Sequence, residues 1–365
     1  MDETLRKRLV ALTAAGRAQS LDFESVAARV ATDRFLSLSA PSPDDRARYE
    51  ELMLGAAARL DETNARRIAA QLAPCPAAPV AVLERLMALG PVVAAPVLAA
   101  APSLAPSLLL ARAREGDAIE AAAIATRSDL DRTIVAALAQ RLEPEVLHAL
   151  AANRGAALDR GALIALTQRA RVDIELGRLL LARDEPTVDR MALFLSADAA
   201  TRRAILLDAM REALATSGAG DLSLAFDRLR LEAVAAADSG DIARFSSIIA
   251  RALRLSRAAI DRLVEDDGGE ALGLVFAAMG LVATESDRRV RALRPDLAQA
   301  LADPVSGLRF AMQAPPQAAA CILGALIPGR QPQRHSEYAP IQQGVRAGAA
   351  QAPQTDAAAQ ALRKG

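Results

Sequence analysis

Turn-forming residues recur at nearly even steps through the middle of the chain. Pro74, Pro102, Ser128, Arg154 and Asp184 stand 28, 26, 26 and 30 residues apart, each after one apolar run and before another. The runs resemble one another: Val97-Leu98-Ala99-Ala100-Ala101-Pro102, Ile124-Ala125-Thr126-Arg127-Ser128, Leu150-Ala151-Ala152-Asn153-Arg154 and Leu179-Leu180-Leu181-Ala182-Arg183-Asp184. So short a step leaves room for two helices of roughly 8–12 residues in each unit. A unit of that size cannot bury its apolar face alone and must stack on its neighbours. The pattern predicts an α-solenoid.

The amino-acid balance favours helix everywhere else as well. Ala supplies roughly a quarter of the residues, and aromatics only 2%, a mixture rich in the strongest helix former. The fold class expected is all-α. The chain divides into an N-terminal helical segment (1–60), an array of short HEAT-like repeats (61–213), a second helical domain (214–328) and a disordered tail (329–365). In the first segment, which reads as about three helices, Asp22 can cap a helix whose apolar face is Phe23, Val26, Ala27 and Val30. Ser42-Pro43-Asp44-Asp45 is a start signal for a helix carrying Tyr49, Leu52, Met53 and Leu60. Beyond the array, Gly220-Asp221 and Gly240-Asp241, like Gly116-Asp117 within it, read as a helix stop followed by a cap. The tail has too few large apolar residues to offset an ordering cost of about 1–2 kcal/mol per residue.

Charge and composition exclude several kinds of chemistry. Lys+Arg and Asp+Glu both total 44, so binding of nucleic acid through bulk charge is not expected. Without Trp, stacking platforms for unpaired bases are not expected either. Only His148 and His335 could serve as an imidazole base. His148 falls on a helix over Glu145–Ala152 as a partly exposed surface residue, and His335 falls in the tail. Cys75 and Cys321 are too far apart in the chain to suggest a metal cluster or a disulfide framework. The acidic run Glu265-Asp266-Asp267-Gly268-Gly269-Glu270 lacks the alternation of a calcium loop and reads as a helix end, a turn and a new helix start. No phosphate-binding glycine loop is present, since both lysines, Lys7 and Lys364, stand at the termini. No catalytic residue, metal site or cofactor is predicted, and the chain is read as a non-enzyme. The start is too charged for a secretory signal. The longest uncharged stretch, Leu86–Ala111, is interrupted by Pro91, Pro96, Pro102 and Pro106 and cannot be one membrane helix. A cytoplasmic protein without an integral membrane segment is expected.

One constellation stands out from this background. Arg127, Asn153-Arg154 and Arg183 occupy equivalent turns and would form a ladder along one edge of a solenoid. They fit a partner-binding ridge, or else they bond the open carbonyls at helix C-termini. The nearly exclusive use of Arg as the basic residue suits either role, because its planar fork makes two bonds at once.

The stretch from Ala69 to Leu195 resembles an uncharacterised bacterial family built on HEAT-like or leucine-rich-variant-like helical repeats. The residues carrying the resemblance are Ala73-Pro74 and Ala78-Pro79, Val93-Ala94-Ala95-Pro96-Val97-Leu98, Pro102-Ser103-Leu104, Leu130, Ala149-Leu150-Ala151-Ala152-Asn153, Ala170 and Leu180-Leu181-Ala182-Arg183. Ser239–Leu255 and Gly268–Gly280 are similar to that family's C-terminal region. The resemblance implies a fold and no activity. Some leucine-rich-variant proteins hold an iron–sulfur cluster on several cysteines; here Cys75 stands alone in its region.

The function expected is a cytoplasmic scaffold or regulator that binds a protein partner on its repeat surface, with the C-terminal helices available for a homodimer contact. The alternatives are a HEAT-like enzyme or nucleic-acid-processing protein of the alkylpurine-glycosylase type, and a peripheral membrane protein.

Overall fold

Proline and aspartate set where the helices begin. The computed structural model describes residues 23–183, 185–215 and 221–327, with backbone alone for Phe23, Ala215 and residues 221–228. The expected Asp22 cap and everything before it, Gly220 of the Gly220-Asp221 stop, His335 and the tail over 329–365 lie outside the described residues. Two helices open the description, α1 (Phe23–Leu36) and α2 (Pro43–Ala57). Nine short ones follow: α3 (Glu62–Leu72), α4 (Val80–Met87), α5 (Pro91–Ala100), α6 (Pro106–Glu115), α7 (Ala118–Ala125), α8 (Arg132–Ala139), α9 (Pro144–Ala152), α10 (Arg160–Ala170) and α11 (Ile174–Ala182). Pro opens α2, α5, α6 and α9, where its missing N–H costs nothing. The carboxylates of Asp61, Asp117, Asp131, Asp159 and Asp173 accept first-turn amides of α3, α7, α8, α10 and α11. The uncharged stretch Leu86–Ala111 is thereby divided among α4, α5 and α6. No helix among the described residues is long and apolar enough to cross a membrane.

Packing joins helices that are second neighbours in the chain. α1 packs on α3, α3 on α5, α5 on α7, α7 on α9 and α9 on α11; α11 then packs on a 3-10 helix at Met191–Ser196. The intervening helices do the same where α2 meets α4, α6 meets α8 and α8 meets α10. The turn positions Pro74, Pro102, Ser128 and Arg154 follow α3, α5, α7 and α9, and Asp184, which follows α11, lies outside the described residues.

The face of α1 differs from the one expected. Val26 and Val30 are exposed, at 48% and 62%, while Ser25, Ala28, Thr32 and Phe35 are buried. Both sets have helical spacing, and the buried one wins because its polar members find partners. The Thr32 hydroxyl lies 2.8 Å from the Ala28 carbonyl and 2.9 Å from the Tyr49 hydroxyl, and Phe35 stacks on Tyr49 at 4.3 Å between ring centres. The Ser42 start behaves as expected. Its hydroxyl accepts the Asp45 amide while the Asp45 carboxylate accepts the Ser42 amide, closing a capping box.

Buried apolar side chains form two clusters that meet inside the 3-10 helix, one ending at Leu193 and the other beginning at Phe194. The second is built from α12 (Ala199–Ala215), α13 (Asp221–Asp238), α14 (Ile242–Leu253), α15 (Arg257–Val264), α16 (Glu270–Ala278), α17 (Ala283–Leu293), α18 (Ala298–Ala302), α19 (Gly307–Met312) and α20 (Pro316–Ala325). Every residue of α16 is buried. A helix apolar all round belongs at the centre of a layer, and α15, α17, α19 and α20 surround it. Gly273 allows the approach of α19, since a Cβ there would lie 3.1 Å from a Leu308 methyl. The Arg171 guanidinium donates to the Ile327 carbonyl at 2.7 Å and ties the end of α20 back to α10.

Candidate functional site

A helix ends with four carbonyls that have no partner within it. In the middle of this chain, the turn after one helix supplies partners for the helix two before it. Arg127, after α7, donates through Nη1 to the carbonyls of Leu98 and Ala101 at the end of α5, both at 3.0 Å. Asn153, after α9, donates through Nδ2 to the carbonyls of Ala125 and Arg127 at the end of α7, at 2.8 and 2.6 Å. Arg183, after α11, reaches the carbonyls of Asn153 and Ala156 beyond α9, at 2.6 and 2.7 Å. The caps therefore run unbroken from α5 to α9. At the opposite end of the helices Arg141 does the same for α6, bonding the carbonyls of Arg114 and Gly116 at 3.1 and 3.0 Å.

Each of these arginines is held by an acid two residues further on. Arg127 forks onto Asp129 with both bonds at 2.9 Å, Arg141 forks onto Glu143, and the Arg183 Nε donates to Glu185 at 2.7 Å. Arg294-Pro295-Asp296 repeats the device in the second cluster, where Nη1 donates to the Val264 carbonyl at 2.5 Å. Such charge-assisted forks hold carboxylates in their ionised form. The Arg141 fork is the main reason that the Glu143 carboxyl is pulled down to about 2, and Asp129 and Asp296 are lowered for the same reason. The spacing Arg-x-Asp/Glu was visible in the sequence, but the carbonyls it serves are 25 to 32 residues earlier.

The four residues proposed as a ridge thus separate. Arg127 is 6% exposed and the Arg183 side chain 4%, with their donors committed to the fold. They cap helix ends, the second of the two roles that the sequence offers for them. Asn153 is half-buried and its donors are likewise used. Arg154 is exposed and, among the described residues, makes one bond, to the Ala182 carbonyl at 3.2 Å.

Exposed apolar side chains gather at the other ends of the same helices. Ile119 is in the first turn of α7, Leu142 just before α9, and Val172 and Ile174 flank the start of α11; all four are exposed. Because α7, α9 and α11 pack in succession, these positions recur along one edge. His148 of α9 is nearby, bonded through Nε2 to Asp173 at 2.7 Å. Asp173 also caps α11, so the imidazole links neighbouring helices.

The acidic run at the end of α15 meets a guanidinium from another helix. Arg202 of α12 uses both terminal nitrogens on the Asp266 carboxylate, at 2.9 and 2.7 Å, and one of them also on Glu270 at 2.7 Å. Its remaining donors go to the Ala197 and Leu195 carbonyls at 3.0 and 3.1 Å. All five N–H groups of the guanidinium are therefore used. A cavity of about 240 Å³ adjoins this group, walled by Leu206, Val305 and Phe310 together with Arg203, Glu270 and Gly307. Sequence reasoning missed this arrangement because Arg202 is 64 and 68 residues from its acids.

Fold and sites together define a protein whose described residues are all-helical, with a row of short helices capped from one turn to the next. The family described as an uncharacterised protein conserved in bacteria (DUF2336) matches residues 93–306, more than half of the chain, and the chain belongs to it. No curated protein and no solved structure matches the chain.

Proposed function

We propose that this protein is a non-enzymatic scaffold or regulator in the cytoplasm, and that its row of short helices is an α-solenoid presenting an extended surface to a protein partner. The observation that carries the reading is the exposed aliphatic set Ile119, Leu142, Val172 and Ile174 at the starts of successively packed helices. Single exposed apolar residues are ordinary, whereas recurrence at one edge of a stacked series is a feature of binding surfaces. The capped turns support the reading by fixing the spacing between helices, so that the edge is rigid before a partner arrives.

The test is affinity capture from the cell of origin with the intact chain and with a Leu142→Glu/Val172→Glu variant. A stoichiometric protein held by the parent and lost from the variant, with unfolding unchanged, is the expected result. Equal retention by both, or no stoichiometric protein with either, would overturn the proposal.

A further inference from the structure

The cavity beside Arg202 combines an uncovered carboxylate oxygen, a guanidinium without an acid, and apolar walls. Glu270 is 5% exposed, and its Oε2 is committed to Arg202. Its Oε1 lies against Gly307, where a Cβ would fall 2.3 Å away. Any other residue at position 307 would crowd that oxygen; glycine leaves it bordering the space. Arg202 is one cation between two carboxylates, and all three side chains are at most 11% exposed. The buried group therefore carries one negative charge in excess, a costly state without a further cation. Arg294, which is close enough to feel the Asp266 charge, forks onto Asp296, and Arg203 lines the same cavity without an ion pair to either carboxylate.

Arg203 borders the same cavity. Its guanidinium is 4.5 Å above the Phe310 ring, and among the described residues no carboxylate pairs with it. The cavity is also lined by Leu206, Val305 and Phe310 and has about 240 Å³, below the roughly 300–1,000 Å³ of sites for drug-sized ligands. A complementary ligand is small, carries a cation towards Glu270 and an anion towards Arg203, and has an apolar body. We propose that this cavity binds a small zwitterion of the α-amino-acid type, its ammonium on Glu270 and its carboxylate on Arg203. The proposal is independent of the partner surface on α7–α11, so either can fail without the other.

Titration calorimetry on the full chain would use L-alanine and L-leucine, with 3-methylbutylamine and 4-methylpentanoate as the single-charge counterparts of leucine. Saturable binding of at least one amino acid is expected, with both counterparts at least tenfold weaker than leucine if leucine binds. Arg203→Gln is expected to weaken binding at least tenfold. Ala200→Leu, at an exposed position on the cavity wall, fills the space without altering a charge and is expected to abolish binding in a chain that still folds. No saturable binding of either amino acid, an amine that binds as tightly as leucine, or binding that survives Ala200→Leu would each overturn the proposal.

Discussion

Replacing Arg127 by Ala isolates what one turn contributes to the stacking. Two buried bonds from its charged Nη1 to the carbonyls of Leu98 and Ala101 disappear. Hydrogen bonds to a charged group contribute about 1.5–3 kcal/mol each. The fork to Asp129 adds little, because that carboxylate is 65% exposed and remains solvated after the change. The expected loss is therefore about 3–6 kcal/mol, most of it at the α5–α7 junction. Arg154→Ala is the internal control, since an exposed side chain with one bond at 3.2 Å should move stability by no more than about 0.5 kcal/mol. Urea unfolding gives the total, and amide hydrogen exchange in α5, including the Ala101 amide that bonds the Val97 carbonyl, gives the location. The exchange measurement matters because stacked arrays need not unfold in a single step. A loss under about 1 kcal/mol for Arg127→Ala, or equal effects of the two variants, would refute the claim that these turns hold the row together.

Three further perturbations address other joints. Glu143 has a folded-state value of about 2 against 4.5 for the free group. Its contribution is complete above pH 4.5 and is lost as pH falls towards 2, so Glu143→Gln is expected to flatten stability over that interval; an unchanged acid limb would dissociate the fork from stability. Gly177→Ala places a Cβ 2.1 Å from the Ser196 hydroxyl, and a loss of about 1–3 kcal/mol in thermal unfolding is expected; a neutral result would mean that the 3-10 helix yields freely. Arg202→Leu strands the carboxylates of Asp266 and Glu270, with an expected loss of about 3–5 kcal/mol by denaturant titration. A loss below about 1 kcal/mol would show that water replaces the guanidinium.

Local signals carried the helix boundaries, and long-range pairing decided what the exposed and buried faces became. Ser42-Pro43 and Asp241 act where their types and positions place them, with the Asp241 carboxylate accepting the Arg244 amide at 2.9 Å after Gly240 at φ 70°. Gly116 differs: its φ of −68° requires no left-handed freedom, and its need for a missing Cβ comes from the Arg112 carbonyl 2.5 Å from where that atom would be. The face of α1 was misjudged because hydropathy ranks Val above Thr, whereas Thr32 gains two partners on burial. Arg127 and Arg183 were legible as a series with capping as one of two roles, but nothing near them in sequence names the particular carbonyls they meet. The Arg202 site was illegible for the same reason. Its acids looked like an ordinary helix junction, and their guanidinium comes from another helix.

The direction of the caps has a consequence for how the chain is made. Leu98 and Ala101 wait for Arg127, Ala125 waits for Asn153, and Ala151 and Asn153 wait for Arg183. The ends of α5, α7 and α9 are each finished by residues synthesised one turn series later, so a nascent chain that stops within this part carries a last helix with open carbonyls. Ribosomal pausing between residues 101 and 127 would expose one such end, and release of a chain cut there would leave it permanently open. Growth in the opposite order would have no such stage, because every helix would emerge with its cap already in place.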